Sequence, residues 1–308
     1  MSSAAARPLP TPAALRPGER VRLVAASSAL AECERLEAGL ALLHDWGLVV
    51  EEAARGIRER RWGYLAGRDH ERAADLALPR GAAPPALWAC VRGGWGSARL
   101  LEATLHQPPG WLLGFSDVTS LLFARVRSGL GGGIHGPLLT TLAAEPSWSQ
   151  ERLRALLFGE PLADLQGEGW QGGIAEGPLL VANLTVATHL LGTPHMPPLR
   201  GAILVLEDVG EAPYRIERML THWRLSGALQ QLAGLGFGSF AGCDEADSRA
   251  DEPAEHRFSL AQVLRERSLD LGLPVVAGLP VGHSPGNAAL PLGRLARLDG
   301  GRGRLQLL

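Results

Sequence analysis

Ser116 stands in Gly114-Phe-Ser-Asp-Val118, directly after the apolar run Trp111-Leu-Leu-Gly-Phe115 and before a helical pattern that reaches about Arg127. A serine at the turn from a strand into a helix has the position of a nucleophile. The turn lifts its hydroxyl clear of the sheet, and the first N–H groups of the helix face the charge that develops on an attacked carbonyl oxygen. The usual elbow of this kind carries glycine two residues after the serine, and Val118 stands there instead. Capping the helix is the commoner role for a serine or aspartate at such a turn, and both Ser116 and Asp117 qualify.

A serine nucleophile needs a base, and the base needs a group to orient it. His283 lies in Val281-Gly-His-Ser-Pro-Gly-Asn287, whose glycines and proline predict a loop. A loop presents a side chain rather than packing it, although a hydrogen-bonded surface histidine fits the same pattern. Glu207 ends the apolar run Gly201–Leu206. A carboxylate there can fix an imidazole tautomer, or it can be an exposed acid at a strand end. Gly93-Gly94-Trp95-Gly96 follows another apolar run, Ala86–Val91. Its glycines let the backbone approach a substrate carbonyl closely, or they make a tight strand-to-helix turn. A phosphate cradle is disfavoured because GxGxxG is absent.

Absent residues narrow the chemistry further. The chain has no lysine, which excludes a Walker phosphate lysine, a Schiff-base lysine and a Ser–Lys dyad. Nine histidines are scattered without an HExxH, and His189 and His195 are separated by residues that include proline. Glu207, Asp208 and Glu211 gather carboxylates, but alternation along a strand sends neighbours to different sides. A metal site is therefore not supported.

The elements that must position these residues alternate. The sequence predicts a strand over Arg22–Ala26, a helix around 30–45 with Leu36, Leu40, Leu43 and Trp46 near helical spacing, and a strand at Leu48–Val50. A helix over 69–78 follows, with Asp69 as cap. Then come a strand at Ala86–Val91, a helical stretch at Ala98–Leu105, a strand at Trp111–Phe115 and the helix after Ser116. Strand–helix alternation implies an α/β protein whose parallel sheet is covered on both faces, with ligands beyond the carboxyl ends of the strands. Residues 1–160 are read as this N-terminal domain. The glycines of 161–177 read as a linker, and 178–308 as a smaller C-terminal α/β domain. That second domain has a strand ending at Glu207, a helix over Tyr214–Leu225 and further strands at Leu235–Ala241 and Val275–Leu279. The polar, acidic stretch 244–257 reads as a solvated loop.

At 308 residues and 46% hydrophobic, the chain is long enough for two such cores. Its formal charge of −2, from 30 basic and 32 acidic residues, gives no electrostatic footprint for nucleic acid. Three distant cysteines, Cys33, Cys90 and Cys243, support neither a disulfide framework nor a zinc ribbon. The Ala- and Pro-rich start lacks the apolar core of a signal peptide, and no apolar run is long enough for a membrane span. A cytoplasmic location without membrane contact is expected.

Taken together, the motifs resemble the LD-carboxypeptidase family, which includes the microcin C immunity peptidases. The resemblance is carried by Gly63-Tyr-Leu-Ala-Gly67 with Glu71-Arg-Ala-Ala-Asp-Leu76, Val91-Arg-Gly-Gly-Trp-Gly-Ser-Ala-Arg-Leu-Leu101, Gly114-Phe-Ser-Asp-Val-Thr119, and Ile134-His-Gly-Pro137. It continues through Asn183-Leu184, Leu206-Glu-Asp-Val-Gly-Glu211 with Tyr214-Arg-Ile-Glu-Arg218, and Gly278–Asn287. It implies a serine peptidase with a Ser116–Glu207–His283 triad and oxyanion contacts from the Gly94 and Asp117 N–H groups. An N-terminal domain like the class I glutamine amidotransferases is implied, with the site between the two domains, a homodimer, and no cofactor. The implied substrate is a muropeptide that loses a C-terminal D-amino acid such as D-alanine during cell-wall recycling. Arg92, Trp95 and Arg215 are candidate substrate contacts, the arginines because their forks suit a terminal carboxylate. Two alternatives stand beside this one: a microcin-type peptidase acting on aminoacyl or peptidyl nucleotides, and a non-catalytic peptide-binding protein. The sequence departs from the family at Val181-Ala182, where two glycines are usual, at Trp95, where tyrosine is frequent, and in lacking lysine. These departures bear on substrate preference more than on the triad.

Overall fold

The computed structural model describes residues 5–51, 56–78, 81–103, 105, 107–244 and 258–308. Apart from Asp244, the acidic stretch read as a solvated loop lies outside the described residues. The chain divides into two compact units, and their borders are not those of consecutive segments. One unit holds residues 9–162 and 285–293; the other holds 163–284, 294–308 and the N-terminal residues up to Pro8.

The N-terminal unit begins with β1 (Arg20–Val24), α1 (Cys33–Asp45) and β2 (Val49–Val50). Next come α2 (Asp69–Ala74), β3 (Leu87–Cys90), a 3₁₀ turn at Ser97–Glu102 and β4 (Trp111–Gly114). The unit continues with α3 (Thr119–Arg127), β5 (Gly133–His135), α4 (Leu139–Leu142) and α5 (Ser147–Phe158). Strands β2, β1, β3, β4 and β5 lie side by side in that order, all parallel. Strands β3 and β4 are buried along their whole length, as a sheet covered on both faces requires. Leu36 and Leu43 of α1 pack with Leu23, Leu87, Leu113 and Leu139 in the core. Each such side chain, fully buried, contributes about 1.5–3 kcal/mol. The α2 helix is capped differently from expectation. The Glu71 carboxylate accepts the Arg68 N–H at 2.6 Å, while Asp69 pairs with Arg72 and Arg99.

The C-terminal unit does not start after a bare linker. Residues 161–177 already carry β6 (Leu165–Gln166), β7 (Glu168–Gln171) and the start of β8 (Ile174–Asn183). They are followed by α6 (Leu184–Leu190), β9 (Ile203–Val209), α7 (Pro213–Leu225), β10 (Gly234–Ala241), α8 (Leu260–Ser268) and β11 (Val275–Ala277). The chain then returns to the first unit for β12 (Leu290–Pro291), which pairs antiparallel with β5. Finally β13 (Leu295–Asp299) and β14 (Arg304–Leu307) complete an eight-stranded sheet in the order β6-β14-β13-β8-β9-β10-β11-β7. Its centre, β8 to β11, is parallel. Each unit is therefore mixed α/β with a sheet of its own.

Cys33 is exposed, Cys90 and Cys243 are buried, and all three thiols are free. Among the described residues, no helix is long and apolar enough to cross a membrane.

Candidate functional site

In the N-terminal unit β4 stops at Gly114, and Ser116 opens a single 3₁₀ turn that runs into α3. Ser116 has φ of 61°, and it is the only non-glycine residue at positive φ among those described. That region disfavours an L-residue because its Cβ crowds the following carbonyl, and strain of this kind is held where the surrounding structure over-determines it. The N-cap positions of the 3₁₀ turn and of α3 fall on Phe115 and Val118, and neither supplies a side-chain cap. Val118 also finds its explanation. A Cβ on Gly114 would lie 2.7 Å from Val118 Cγ1. The valine thus fills the space that glycine 114 leaves, and the elbow closes without a second glycine.

Asp117 is 1% exposed. Its Oδ2 accepts hydrogen bonds from Ser27 Oγ at 2.6 Å and the Ser97 N–H at 2.8 Å. Its main-chain oxygen accepts one from Ser97 Oγ at 2.6 Å. Burial pushes the carboxyl above its ordinary range, against the pull of the Ser27 and Ser97 hydrogen bonds. The aspartate thereby ties the end of β1 and the start of the 97–102 turn to the elbow.

The Gly93–Gly96 turn follows β3, the neighbour of β4. A Cβ on Gly93 would stand 3.0 Å from Ser116 Cβ and 3.1 Å from its Oγ, so only glycine lets this turn lie so close to the serine. Gly94 and Trp95 are solvent-exposed, and the Trp95 N–H donates to Ser28 Oγ at 3.1 Å. Arg92 is half-buried and gives one N–H to the Ala29 carbonyl at 2.8 Å. Arg72, fully buried, donates to the carbonyls of Ala26 and Gly96 and so clamps both ends of this region. A Gly93→Ala variant should fold normally, because Gly93 is not at positive φ. Its methyl group must displace Ser116 by a few tenths of an ångström. The rate of labelling at Ser116 by a serine-directed phosphonate is expected to fall about tenfold, since misplacement by about 1 Å can cost 10²-fold.

In the C-terminal unit Glu207 lies near the carboxyl end of β9 and is completely buried. Its Oε2 is 2.6 Å from His283 Nδ1, and the histidine side chain keeps 19% exposure. Burial holds the Glu207 carboxyl above its usual range, and the His283 hydrogen bond opposes this. A carboxylate on Nδ1 leaves the other ring nitrogen, Nε2, to exchange a proton with a reacting group. Gly282, at φ of 123°, makes the arrangement possible, because a Cβ there would sit 2.7 Å from Glu207 Oε2. Strand β10 shifts register between Phe237 and Phe240, opposite this part of β9. Ser239, at the shift, accepts the Ser284 N–H at 3.2 Å through its Oγ and steadies the histidine loop. Bulges of this kind recur beside functional sites.

The neighbouring Asp208 points to the other face of β9. Its carboxylate accepts from Asn183 Nδ2 at 2.9 Å, the Thr185 N–H at 2.9 Å and Thr185 Oγ1 at 2.7 Å. Asn183 Oδ1 in turn caps α6 by accepting the Val186 N–H at 3.0 Å. Arg215, on α7, pairs with Glu211 at 3.3 Å and donates to Tyr214 Oη at 3.1 Å. Of the candidate residues, Ser116, Asp117, Arg92, Gly94 and Trp95 thus belong to the N-terminal unit, with Gly93 packed directly on the serine. Glu207, His283 and Arg215 belong to the C-terminal unit, where the first two are hydrogen-bonded. Sequence reasoning gave no role to Ser27, Ser97, Arg72 or Asn183. The visible signals were the serine pair closing β1 and an asparagine directly before a helix.

Residues 21–136 match the model of the LD-carboxypeptidase N-terminal domain, and residues 176–298 that of the LD-carboxypeptidase C-terminal domain. A Synechocystis sp. protein bearing a carboxypeptidase name is 47% identical over 98% of this chain and 97% of its own. The murein tetrapeptide carboxypeptidase of Pseudomonas aeruginosa is 36% identical over 92% and 94% of the two chains. Among solved structures, muramoyltetrapeptide carboxypeptidase from Oxalobacter formigenes superposes with a TM-score of 0.79 at 26% identity, covering 94% of this chain and 97% of the other. The microcin C7 self-immunity protein MccF in complex with aspartyl sulfamoyl adenosine gives a TM-score of 0.80 at 20% identity, over 97% and 98% of the two chains. The last of these is a likeness of fold alone.

Proposed function

Because this chain belongs to the LD-carboxypeptidase family, we propose that it is a serine carboxypeptidase releasing the C-terminal D-amino acid, D-alanine by preference, from murein tetrapeptides. The observation that carries the reading is the strained backbone at Ser116, the one non-glycine residue held at positive φ. The hydrogen-bonded Glu207–His283 pair supplies the base that such a nucleophile needs.

In the proposed reaction His283 takes the proton from Ser116 Oγ as the oxygen attacks the peptide carbonyl carbon. Glu207 fixes the imidazole tautomer and stabilises the imidazolium. The N–H groups of Gly94 and Asp117 hold the oxyanion. Collapse breaks the C–N bond, and the leaving amine takes its proton from His283. Water then attacks the acyl-serine with His283 again as base, and Ser116 is regenerated with the shortened peptide released as its carboxylate. The proposed likeness of the N-terminal unit to class I glutamine amidotransferases fits this scheme, with serine where those enzymes use cysteine. A cytoplasmic homodimer acting in cell-wall recycling is part of the same reading.

A second reading, hydrolysis of aminoacyl or peptidyl nucleotides, draws on Trp95, a 44% exposed indole next to the Gly93–Gly94 turn on which a nucleobase could stack. Incubation with a murein tetrapeptide, and separately with an aminoacyl sulfamoyl adenosine, tests the two. Release of free D-alanine from the tetrapeptide, with the nucleoside conjugate intact, is expected. The opposite pattern would favour the nucleotide reading. Failure of both, with no labelling of Ser116 by a phosphonate, would leave a non-catalytic peptide-binding protein.

A further inference from the structure

Between α6 and α7 of the C-terminal unit lies a cavity of about 500 Å³, a size suited to a small ligand or part of a peptide. Thr185, part of its lining, donates to Asp208 Oδ2 at 2.7 Å, so the cavity lies beside the carboxyl end of β9. Its polar lining is uneven. Glu211 and Arg215 largely satisfy each other at 3.3 Å. Arg218 has no such partner. Its guanidinium sits over the Tyr214 ring at 5.8 Å, and among the described residues it makes no ion pair or side-chain hydrogen bond. The side chains of His189, from α6, and His222, from α7, also line the cavity, with no hydrogen-bond partner among the described residues. One unspent guanidinium fork and two imidazoles therefore converge on a cavity whose single carboxylate, Glu211, is already engaged. A planar oxyanion, above all a carboxylate, is the ligand that such a fork fits.

The position along the chain relates this cavity to the catalytic pair. Glu211 follows Glu207 by four residues, and four residues span at most about 14 Å. A peptide whose scissile bond is at His283 can therefore bring a carboxylate two or three residues away to this cavity. We infer that the cavity binds a carboxylate of the peptide substrate remote from the scissile bond, with Arg218 as its principal contact and the His189 and His222 rings as further donors. The inference rests on the carboxypeptidase reading for the identity of the peptide, and on the cavity alone for the class of group bound. Arg215, one of the two arginines read from the sequence as candidate contacts, is already engaged by Glu211.

Calorimetric titration separates the inference from the reading beneath it. With Ser116→Ala protein, an acidic murein tetrapeptide is compared with the same peptide amidated at the carboxylates away from the scissile bond. Amidation is expected to weaken binding at least about tenfold, the range of a charge-assisted hydrogen-bonded contact. Adding Arg218→Gln should abolish that difference, and Arg218→Lys, which keeps the charge without the fork, should retain part of it. Thermal melts of each variant exclude loss of fold. In the protein with Ser116 intact, Arg218→Gln should act on KM and not on kcat. An amidation penalty that survives Arg218→Gln unchanged, or no penalty in the first place, overturns the inference whether or not the peptide is hydrolysed. An Arg218-dependent penalty in a protein that releases no D-alanine would sustain the cavity assignment and defeat the carboxypeptidase reading.

Discussion

A Ser116→Ala variant is expected to hydrolyse murein tetrapeptide at least about 10³-fold more slowly than the parent protein, because the attacking oxygen is gone and only orientation and oxyanion binding remain. Melting temperature gives the same position a second, independent readout. At φ of 61°, a residue with a Cβ carries about 1–2 kcal/mol of strain, which glycine does not. Glycine loses about 0.5–1 kcal/mol through the greater freedom of its unfolded chain. Ser116→Gly should therefore be as inactive as the alanine variant yet more stable than the parent by about 0.5–1 kcal/mol, or about 1–3 °C in a chain of this size. Ser116→Ala keeps the strain and should melt near the parent. A helix-capping serine predicts other signs: alanine would cost about 0.5–2 kcal/mol and glycine a few tenths, so both variants would melt below the parent. Activity lost together with stability gained at one residue is the signature of a nucleophile held in a costly conformation.

What could be read in advance follows from how local each cause is. The strand-to-helix turn at Ser116 and the strand end at Glu207 are written in contiguous residues: an apolar run, a polar residue, then a new period. The conformation of Ser116 is not written there. It is set partly by Gly93, which lies 23 positions earlier in the chain and reaches the serine only through the pairing of β3 with β4. The glycines of 161–177 misled for a related reason. In isolation they suggest a flexible tether, but a Cβ on Gly169 would lie 2.2 Å from the Gly300 carbonyl oxygen. The glycine is there to let β7 pass close beside chain that is far away in sequence. Strand β8 hides its character differently. Residues 174–178 pair antiparallel with β13, residues 179–183 pair parallel with β9, and Pro178 sits at the change. No single alternation runs through it. Arg215 and Arg218 look equivalent in sequence, one helical turn apart; only the placement of Glu211 and Tyr214 shows which fork is already occupied.

Glu207→Gln should abolish most activity while raising stability at neutral pH, and the two effects share one cause. Burial holds the Glu207 carboxyl above its ordinary value even with His283 beside it, so the folded state favours the protonated acid more than the unfolded chain does. The sign of the linkage follows. At pH below the unfolded value the acid is protonated in both states, and the stability this favours is fully present. As pH rises through the folded value, ionisation of the buried group removes that stability. Glutamine is the neutral isostere of the protonated acid and escapes the loss. The variant should thus melt above the parent at neutral pH, and the gap should close as the solution is acidified. Were Glu207 and His283 a stabilising buried ion pair, removing one charge would lower stability, by about 3–5 kcal/mol for a buried pair broken on one side. Turnover should fall at least about 10²-fold, because in the proposed mechanism a neutral amide cannot stabilise the imidazolium formed when His283 takes the proton from Ser116. Loss of activity by the parent at low pH includes protonation of the Glu207 carboxyl, whose Oε2 is hydrogen-bonded to His283 Nδ1. The carboxyl's elevated position places its part of that loss above the pH at which an ordinary glutamate would be protonated. A carboxyl buried at the cost of its own ionisation is explained by what it does for the transition state, and the opposite signs of the two measurements on one variant test that directly.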